Sequence, residues 1–174
     1  MLYADASLAA SLEVDLAGDA MLLLIDTLCA GRIHYAAGEA FRFRSYESDL
    51  LVRAQGRVAA AGRLRLEPSA QRLAAIGAFE GATHAGTMYG FGPFVGRSAL
   101  EALRPAVEEA EASGGPGLRC GVSLAARYGL AATALGRSAD QVHAALLAIG
   151  RAFAEYADAH APISCARFAW HAER

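Results

Sequence analysis

Alternation with a period of two residues dominates the first part of the chain and constrains its fold most. From Ser7 to Leu16 an apolar side chain takes every second position, while serine and carboxylate side chains hold most of the positions between. A strand with one face on a core and the other in water has this pattern. The segment therefore predicts a half-buried β-strand.

The segments that follow extend the β pattern. Gly18-Asp19 is typical of a turn, which makes the apolar run 20–28 the predicted hairpin partner of the first strand. Further strand patterns occupy 38–44, 50–53, 58–66 and 78–88, and one or two helical turns are expected over 69–75. Because the connections are too short for crossover helices, we expect an antiparallel meander over about residues 1–90.

Two capping-box patterns predict helices in the second half of the chain. Ser98 is followed three residues later by Glu101, and Ser138 by Gln141, which predicts helices reaching about Ala112 and about His160. Short strands are expected between them, so that helix, strands and final helix fill about 97–160. The sequence thus predicts a β-rich α+β fold, with antiparallel layered or β-helix-like sheets and two C-terminal-half helices, in one domain over 1–174.

Composition excludes several classes of protein. Of the 174 residues 55% are apolar and 20% charged, with a net charge of -2, which excludes disorder and favours a chain that hides surface, for example against a permanent partner. All 16 basic residues are arginine, so a Schiff-base lysine and a P-loop lysine are excluded. The apolar runs 20–25 and 144–149 are too short to cross a membrane. No secretory pattern precedes them, and the chain is predicted to be cytoplasmic.

A glycine-rich loop is the basis for an alternative interpretation of the chain as a small enzyme. Gly90, Gly92 and Gly96 lie between a predicted strand and a predicted helix, where a dinucleotide fingerprint would have meaning. Their spacing is GxGxxxG, and Pro93 removes an N–H that a phosphate would use. A turn is the simpler interpretation; a small enzyme binding a nucleotide or methyl donor at this loop is the alternative.

Other chemistry is weakly indicated. Histidines at 34, 84, 143, 160 and 171 form no HxH or HxxxH pair, and the cysteines at 29, 120 and 165 form no CxxC, so a closed metal site and a disulfide framework are not predicted. A transient soft site between strands could use His84 and Cys120, although core packing explains both residues. The aromatic and basic run at 41–44 has acidic neighbours, which disfavours nucleic-acid binding.

The last predicted helix has two apolar faces. One stripe consists of Val142, Leu146, Ile149, Phe153 and Tyr156. The other side carries Ala144, Leu147, Ala148 and Ala154, with Arg151 among its few polar residues. The second side is either an effect of alanine-rich composition or a docking surface for a partner.

The order of these features resembles the UreD family of urease accessory proteins, also called UreH. Similar segments are Leu12-Glu13-Val14-Asp15-Leu16, Gly38-Glu39-Ala40-Phe41-Arg42-Phe43 and Gly62-Arg63-Leu64-Arg65-Leu66-Glu67-Pro68, and the pattern of Leu135-Gly136, Ser138, Val142 and Ile149 is similar to the family's last helix. The resemblance covers most of the chain.

The resemblance implies a scaffold without catalysis. Such a protein binds apo-urease and the UreF and UreG accessory proteins and helps nickel reach the urease active site. No tightly bound cofactor is expected, but nickel could pass in transit, with Glu39, His84 and Cys120 as candidate contacts because carboxylate, imidazole and thiolate suit this ion. The partner-binding candidates are Ala144, Leu147, Ala148, Arg151 and Ala154.

The chain departs from the family pattern in two ways. Family members usually have a segment ahead of the equivalent of Leu2, so a truncated or shortened member is expected. Gly150 and Ala154 stand where an aromatic residue and an arginine are usual, and Ala169 precedes Trp170 in the tail. These differences affect the region where partner contacts are expected.

Overall fold

A computed structural model describes residues 2–34 and 38–161. Its strands are β1 (Ser7–Leu16), β2 (Leu22–Cys29), β3 (Ser45–Ala54), β4 (Arg57–Leu66), β5 (His84–Phe91), β6 (Arg119–Leu124) and β7 (Gly129–Gly136), and its helices are α1 (Arg97–Ser113) and α2 (Ala139–His160). The predicted β-rich α+β fold with two helices in the C-terminal half is confirmed. In the part of the chain described, no helix is both long and apolar enough to cross a bilayer.

The first sheet has the strand order β1-β3-β4. β1 runs parallel to β3, and β4 returns antiparallel to β3. Ion pairs join neighbouring strands on one face, such as Arg63 Nε to Asp49 Oδ1 at 2.6 Å and Arg65 Nε to Glu47 Oε1 at 3.4 Å. Each pair joins residues directly opposite each other in the β3–β4 register, so the charge pattern of this face is consistent with the pairing.

The predicted hairpin between the first two strands is wrong. β1 pairs with β3, whereas β2 joins the second sheet, whose order is β2-β5-β7-β6 with antiparallel pairing throughout. The difference follows from side-chain pattern. β1 alternates, but eight of its ten residues are exposed, so the prediction of a half-buried strand is wrong. The continuous apolar run at the start of β2 suits a strand with apolar neighbours on both faces.

The second sheet forms the middle layer of the molecule. Met88, Leu130 and Ala132 on one of its faces pack in a core with α1 and α2. Tyr89 and Phe91, from the alternate positions of β5, pack on the other face with residues of the first sheet such as Val52. The fold is therefore a stack of a helix layer, a four-stranded sheet and a three-stranded sheet.

Glycines on β5 let α2 approach the middle sheet closely. A Cβ built on Gly86 would lie 2.5 Å from Cδ1 of Leu146, and one on Gly90 would lie 2.6 Å from Cε2 of Phe153. Both partners are fully buried. The large side chains of α2 thus occupy the space that β5 leaves empty.

Several predicted local structures differ from the observed ones. Residues 38–44 form turns rather than a strand, residues 69–75 form turns rather than helix, and β5 begins at His84 instead of Ala78. Helix α1 begins after Gly96 without a side-chain cap, so the capping role predicted for Ser98 is wrong. The predicted cap of α2 is confirmed, because Ser138 Oγ accepts a hydrogen bond from the Gln141 N–H at 3.2 Å.

Candidate functional site

The three residues proposed as metal contacts lie in separate surroundings. Glu39 is held by Arg32, whose Nε and Nη2 each donate to one carboxylate oxygen at 2.8 Å. These hydrogen bonds lower the pKa of Glu39. Its side chain is only 13% exposed. The Glu39 carboxylate therefore already has a cationic partner. The ion pair joins the chain segments on the two sides of residues 35–37.

Cys120 is part of the core between α1 and the second sheet. Its N–H donates to Glu111 Oε2 at 2.7 Å, and the side chain packs against the buried cluster beneath the helices. Burial, with a smaller contribution from the Glu111 charge, raises the pKa of the Cys120 thiol to about 11. The thiol thus stays protonated near neutral pH, which makes it a poor metal ligand.

His84 has the properties of an available ligand. It is 8% exposed, and burial lowers the pKa of its imidazole, with a further lowering contribution from the charge of His34. A neutral imidazole is the form that coordinates metal. Thr83 Oγ1 lies 3.1 Å from Nδ1 of His84 and 3.2 Å from the Arg137 carbonyl oxygen. When the hydroxyl donates to that carbonyl, Nδ1 donates to the hydroxyl and Nε2 keeps its lone pair.

Cys29 is the neighbour of His84 that the sequence did not indicate. The two residues are directly opposite in the antiparallel β2–β5 register, so both side chains leave the same face of the second sheet. Cys29 Sγ donates to the Gly31 carbonyl oxygen at 3.0 Å. A histidine and a cysteine that are distant in sequence are thus brought together at the edge of the sheet, beside the start of α2.

Two cavities meet at this pair. The first, of about 530 Å³ and here called the histidine cavity, is lined by Cys29, His34, His84, Ser138 and Asp140 among others. The second, of about 550 Å³ and here called the edge cavity, shares Cys29, His84 and Asp140 and adds Asp26, Tyr46 and His143. Within residues 2–34 and 38–161, no cluster of three or more His, Cys, Asp or Glu side chains is arranged to hold a metal ion.

A third cavity continues between the two sheets. This inter-sheet cavity has a volume of about 460 Å³ and shares Ala10, Asp26 and Tyr46 with the edge cavity. Ser48, Thr87 and Tyr89 contribute polar groups to its lining. The three cavities together form a groove, lined by apolar side chains with polar groups between them, that runs from His34 past His84 to the space between the sheets.

The glycine loop of the enzyme alternative is filled by aromatic side chains. Gly90 belongs to β5 and faces the ring of Phe153, while a Cβ on Gly92 would lie 2.7 Å from the ring of Phe94. Phe91 and Gly92 are buried. The absence of a side chain at Gly90 and Gly92 therefore makes room for the two aromatic rings. A phosphate bound at this loop would have to displace these rings.

The candidate partner face on α2 is largely exposed. Ala144, Ala148 and Arg151 are exposed, and Leu147 is half-buried. Ala154 is 4% exposed and thus lies on the inner side of the helix, so its assignment to the outer face is corrected. The predicted inner stripe is confirmed, since Val142, Leu146, Ile149 and Phe153 are buried and Tyr156 packs against the same core.

Comparison with known proteins agrees with the resemblance in sequence. The model of the UreD urease accessory protein family matches residues 1–168. A urease accessory protein UreD from Acetivibrio thermocellus is 28% identical over 144 residues, which are 83% of this chain and 52% of that relative. The chain thus spans about half the length of the curated relative that it matches. Because the family model covers nearly all of the sequence, the chain belongs to the UreD family of urease accessory proteins.

Proposed function

We propose that this chain serves urease maturation in the cytoplasm as a non-catalytic scaffold for nickel insertion into apo-urease, with UreF and UreG as partners. Family membership over residues 1–168 supports the maturation role. The observation that carries the nickel part is the groove at Cys29 and His84, because it offers a thiol and an imidazole without a closed set of ligands. An ion in transit needs contacts that release it again.

The geometry favours His84 among the three candidate nickel contacts. Its lowered pKa keeps the imidazole neutral, and it lines two of the connected cavities. Glu39 is paired with Arg32, and the half-buried thiol of Cys120 is protonated near neutral pH because its pKa is raised to about 11. We therefore assign nickel contact to His84 with Cys29, and structural roles to Glu39 and Cys120.

The exposed side of α2 is the proposed docking surface for a helical partner such as UreF. Ala144 and Ala148 let another backbone approach closely, and Leu147 supplies an apolar contact. Arg151 lies one turn further along and could pair with a carboxylate. The opposite side of the helix is engaged by the core, which leaves this side for a partner.

Co-expression with UreF tests the proposal. A tagged copy of this chain should retain UreF through affinity purification and gel filtration, and activate apo-urease at limiting nickel when UreG is added. Failure to retain UreF would contradict the scaffold role. If the Cys29→Ser/His84→Gln double variant retains UreF and still activates urease normally, the nickel path is contradicted. The scaffold role would then still stand.

A further inference from the structure

Thr83 connects the imidazole of His84 to the backbone that leads into α2. Its Oγ1 lies 3.1 Å from Nδ1 of His84 and 3.2 Å from the carbonyl oxygen of Arg137. Thr83 immediately precedes β5, whereas Arg137 belongs to the connection between β7 and α2. A short series of polar groups therefore runs from the imidazole through the hydroxyl to a backbone carbonyl.

The single proton of the Thr83 hydroxyl decides the direction of these hydrogen bonds. A carbonyl oxygen only accepts, so when the hydroxyl donates to Arg137 its oxygen is left to accept from Nδ1 of His84. If the hydroxyl donated to Nδ1 instead, a lone pair of Oγ1 would face the carbonyl oxygen at 3.2 Å and that hydrogen bond would be lost. The Arg137 carbonyl also interacts with the imidazole in the sense that favours a proton on the ring. Both groups thus favour the Nδ1–H form of the neutral imidazole.

Backbone hydrogen bonds hold both ends of this series in place. The Thr83 N–H donates to the Gly136 carbonyl at 3.0 Å, and the Thr83 carbonyl accepts from the Ala30 N–H at 2.7 Å. The Arg137 N–H donates to Oε1 of Gln141 in the first turn of α2 at 3.2 Å. The hydroxyl and the carbonyl are therefore positioned by the second sheet and by the start of α2.

We propose that Thr83 is a positioning residue that holds His84 in the Nδ1–H form, so that Nε2 presents its lone pair to the edge and histidine cavities, both of which His84 lines. The inference rests on the proposed function, because it takes the ligand of Nε2 to be the nickel ion assigned to His84 with Cys29. Histidine ligands of metals usually donate their other N–H to a fixed acceptor, which sets the tautomer and the orientation of the ring. Thr83 supplies that acceptor and acts on the ion only through His84.

The tautomer can be measured in the metal-free protein. Long-range proton–nitrogen correlation spectra, recorded at a pH where the imidazole is neutral, distinguish a protonated ring nitrogen from an unprotonated one. We expect the proton on Nδ1 of His84 in the wild type and in Thr83→Ser, which keeps the hydroxyl, and a shift toward the Nε2–H form in Thr83→Val. Thr133→Val makes the same change at an exposed position of β7 and should leave the wild-type tautomer. An unchanged tautomer in Thr83→Val would overturn the proposal. So would a wild-type ring with its proton on Nε2, a result that stands even if Thr83→Val fails to fold.

Titration of the same variants with Ni²⁺ alone tests the consequence for metal binding. Calorimetry should show an affinity roughly ten- to hundredfold lower for Thr83→Val than for the wild type, with Thr83→Ser and Thr133→Val close to the wild type. A changed tautomer with unchanged nickel affinity in Thr83→Val would contradict the positioning role. Wild-type nickel affinity in His84→Gln would instead contradict the nickel contact of the proposed function, and the tautomer spectra would still decide whether Thr83 orients the ring.

Discussion

Cys29 and His84 are partners in the β2–β5 ladder, so a thiol and a buried imidazole share one face of the second sheet. His34 and Asp140 line the same cavity. Each of these residues comes from a different segment of the chain: the end of β2, the following loop, the start of β5 and the first turn of α2. The register of the second sheet and the position of α2 thus bring Cys29, His84 and Asp140 together.

A cobalt or nickel titration should detect thiolate coordination by Cys29. We expect an ultraviolet charge-transfer band that grows as pH rises, because the metal competes with protons for both His84 and Cys29. Cys29→Ser should abolish the band, and His84→Gln should weaken metal binding. Cys120→Ser is the matched control and should leave the band intact, since that half-buried thiol has a pKa raised to about 11 and stays protonated. A band that depends on Cys120 instead would refute the assignment.

Leu147→Glu should prevent co-purification with UreF. A charge buried against a partner without a counter-ion is costly to desolvate. Circular dichroism and thermal unfolding of the isolated variant should be close to wild type, because Leu147 is only half-buried. Ala159→Glu introduces the same charge at an exposed position about 18 Å further along α2 and should leave binding intact. Equal loss in both variants would point to a non-specific charge effect.

Gly90→Ala should destabilise the fold by about 1–3 kcal/mol through overpacking. The added methyl group would lie 2.6 Å from the buried ring of Phe153, which is enclosed in the main core and has little freedom to move. Chemical denaturation would measure the change in the free energy of unfolding. Gly121→Ala is the matched control in the same sheet, because the nearest atom that a Cβ there would meet, Thr133 Oγ1, is 3.8 Å away. A similar loss in both variants would show that contact with Phe153 is not the cause.

Acidification should reduce stability through His84. Burial lowers the pKa of this imidazole below the value of 6.5 for an unperturbed histidine, so the unfolded chain binds the proton more readily than the folded one. Stability should therefore fall as pH drops from about 6.5 toward the lowered pKa. Free energies of unfolding measured across this range should show a shallower slope for His84→Gln than for wild type.

Period-two patterns predicted most strands but not their partners. The alternation of β1 identifies a strand, yet whether it pairs with β2 or β3 depends on contacts between distant residues that a single sequence does not encode locally. The same holds for β2, which pairs with β5 across more than fifty residues. Turn residues such as Gly18-Asp19 permit a hairpin without requiring one.

A capping-box pattern predicted the start of a helix correctly where the serine side chain makes its capping hydrogen bond. Ser138 caps α2 as its spacing with Gln141 predicts, whereas Ser98 lies inside α1 because the helix starts one residue earlier, at Arg97.

The candidate site shows the same limit as the strands. His84 was identified from its strand position, but Cys29 became its neighbour only through register, and the Arg32 side chain that occupies Glu39 is seven residues away along an irregular loop.

The three-layer arrangement determines which surfaces remain open when a partner binds α2. Helix α2 belongs to one outer layer and β1 to the other, with the four-stranded sheet between them. At the usual spacing of packed layers, these outer layers are roughly 20 Å apart. A helical partner on the exposed side of α2 would therefore leave the far face of the three-stranded sheet uncovered.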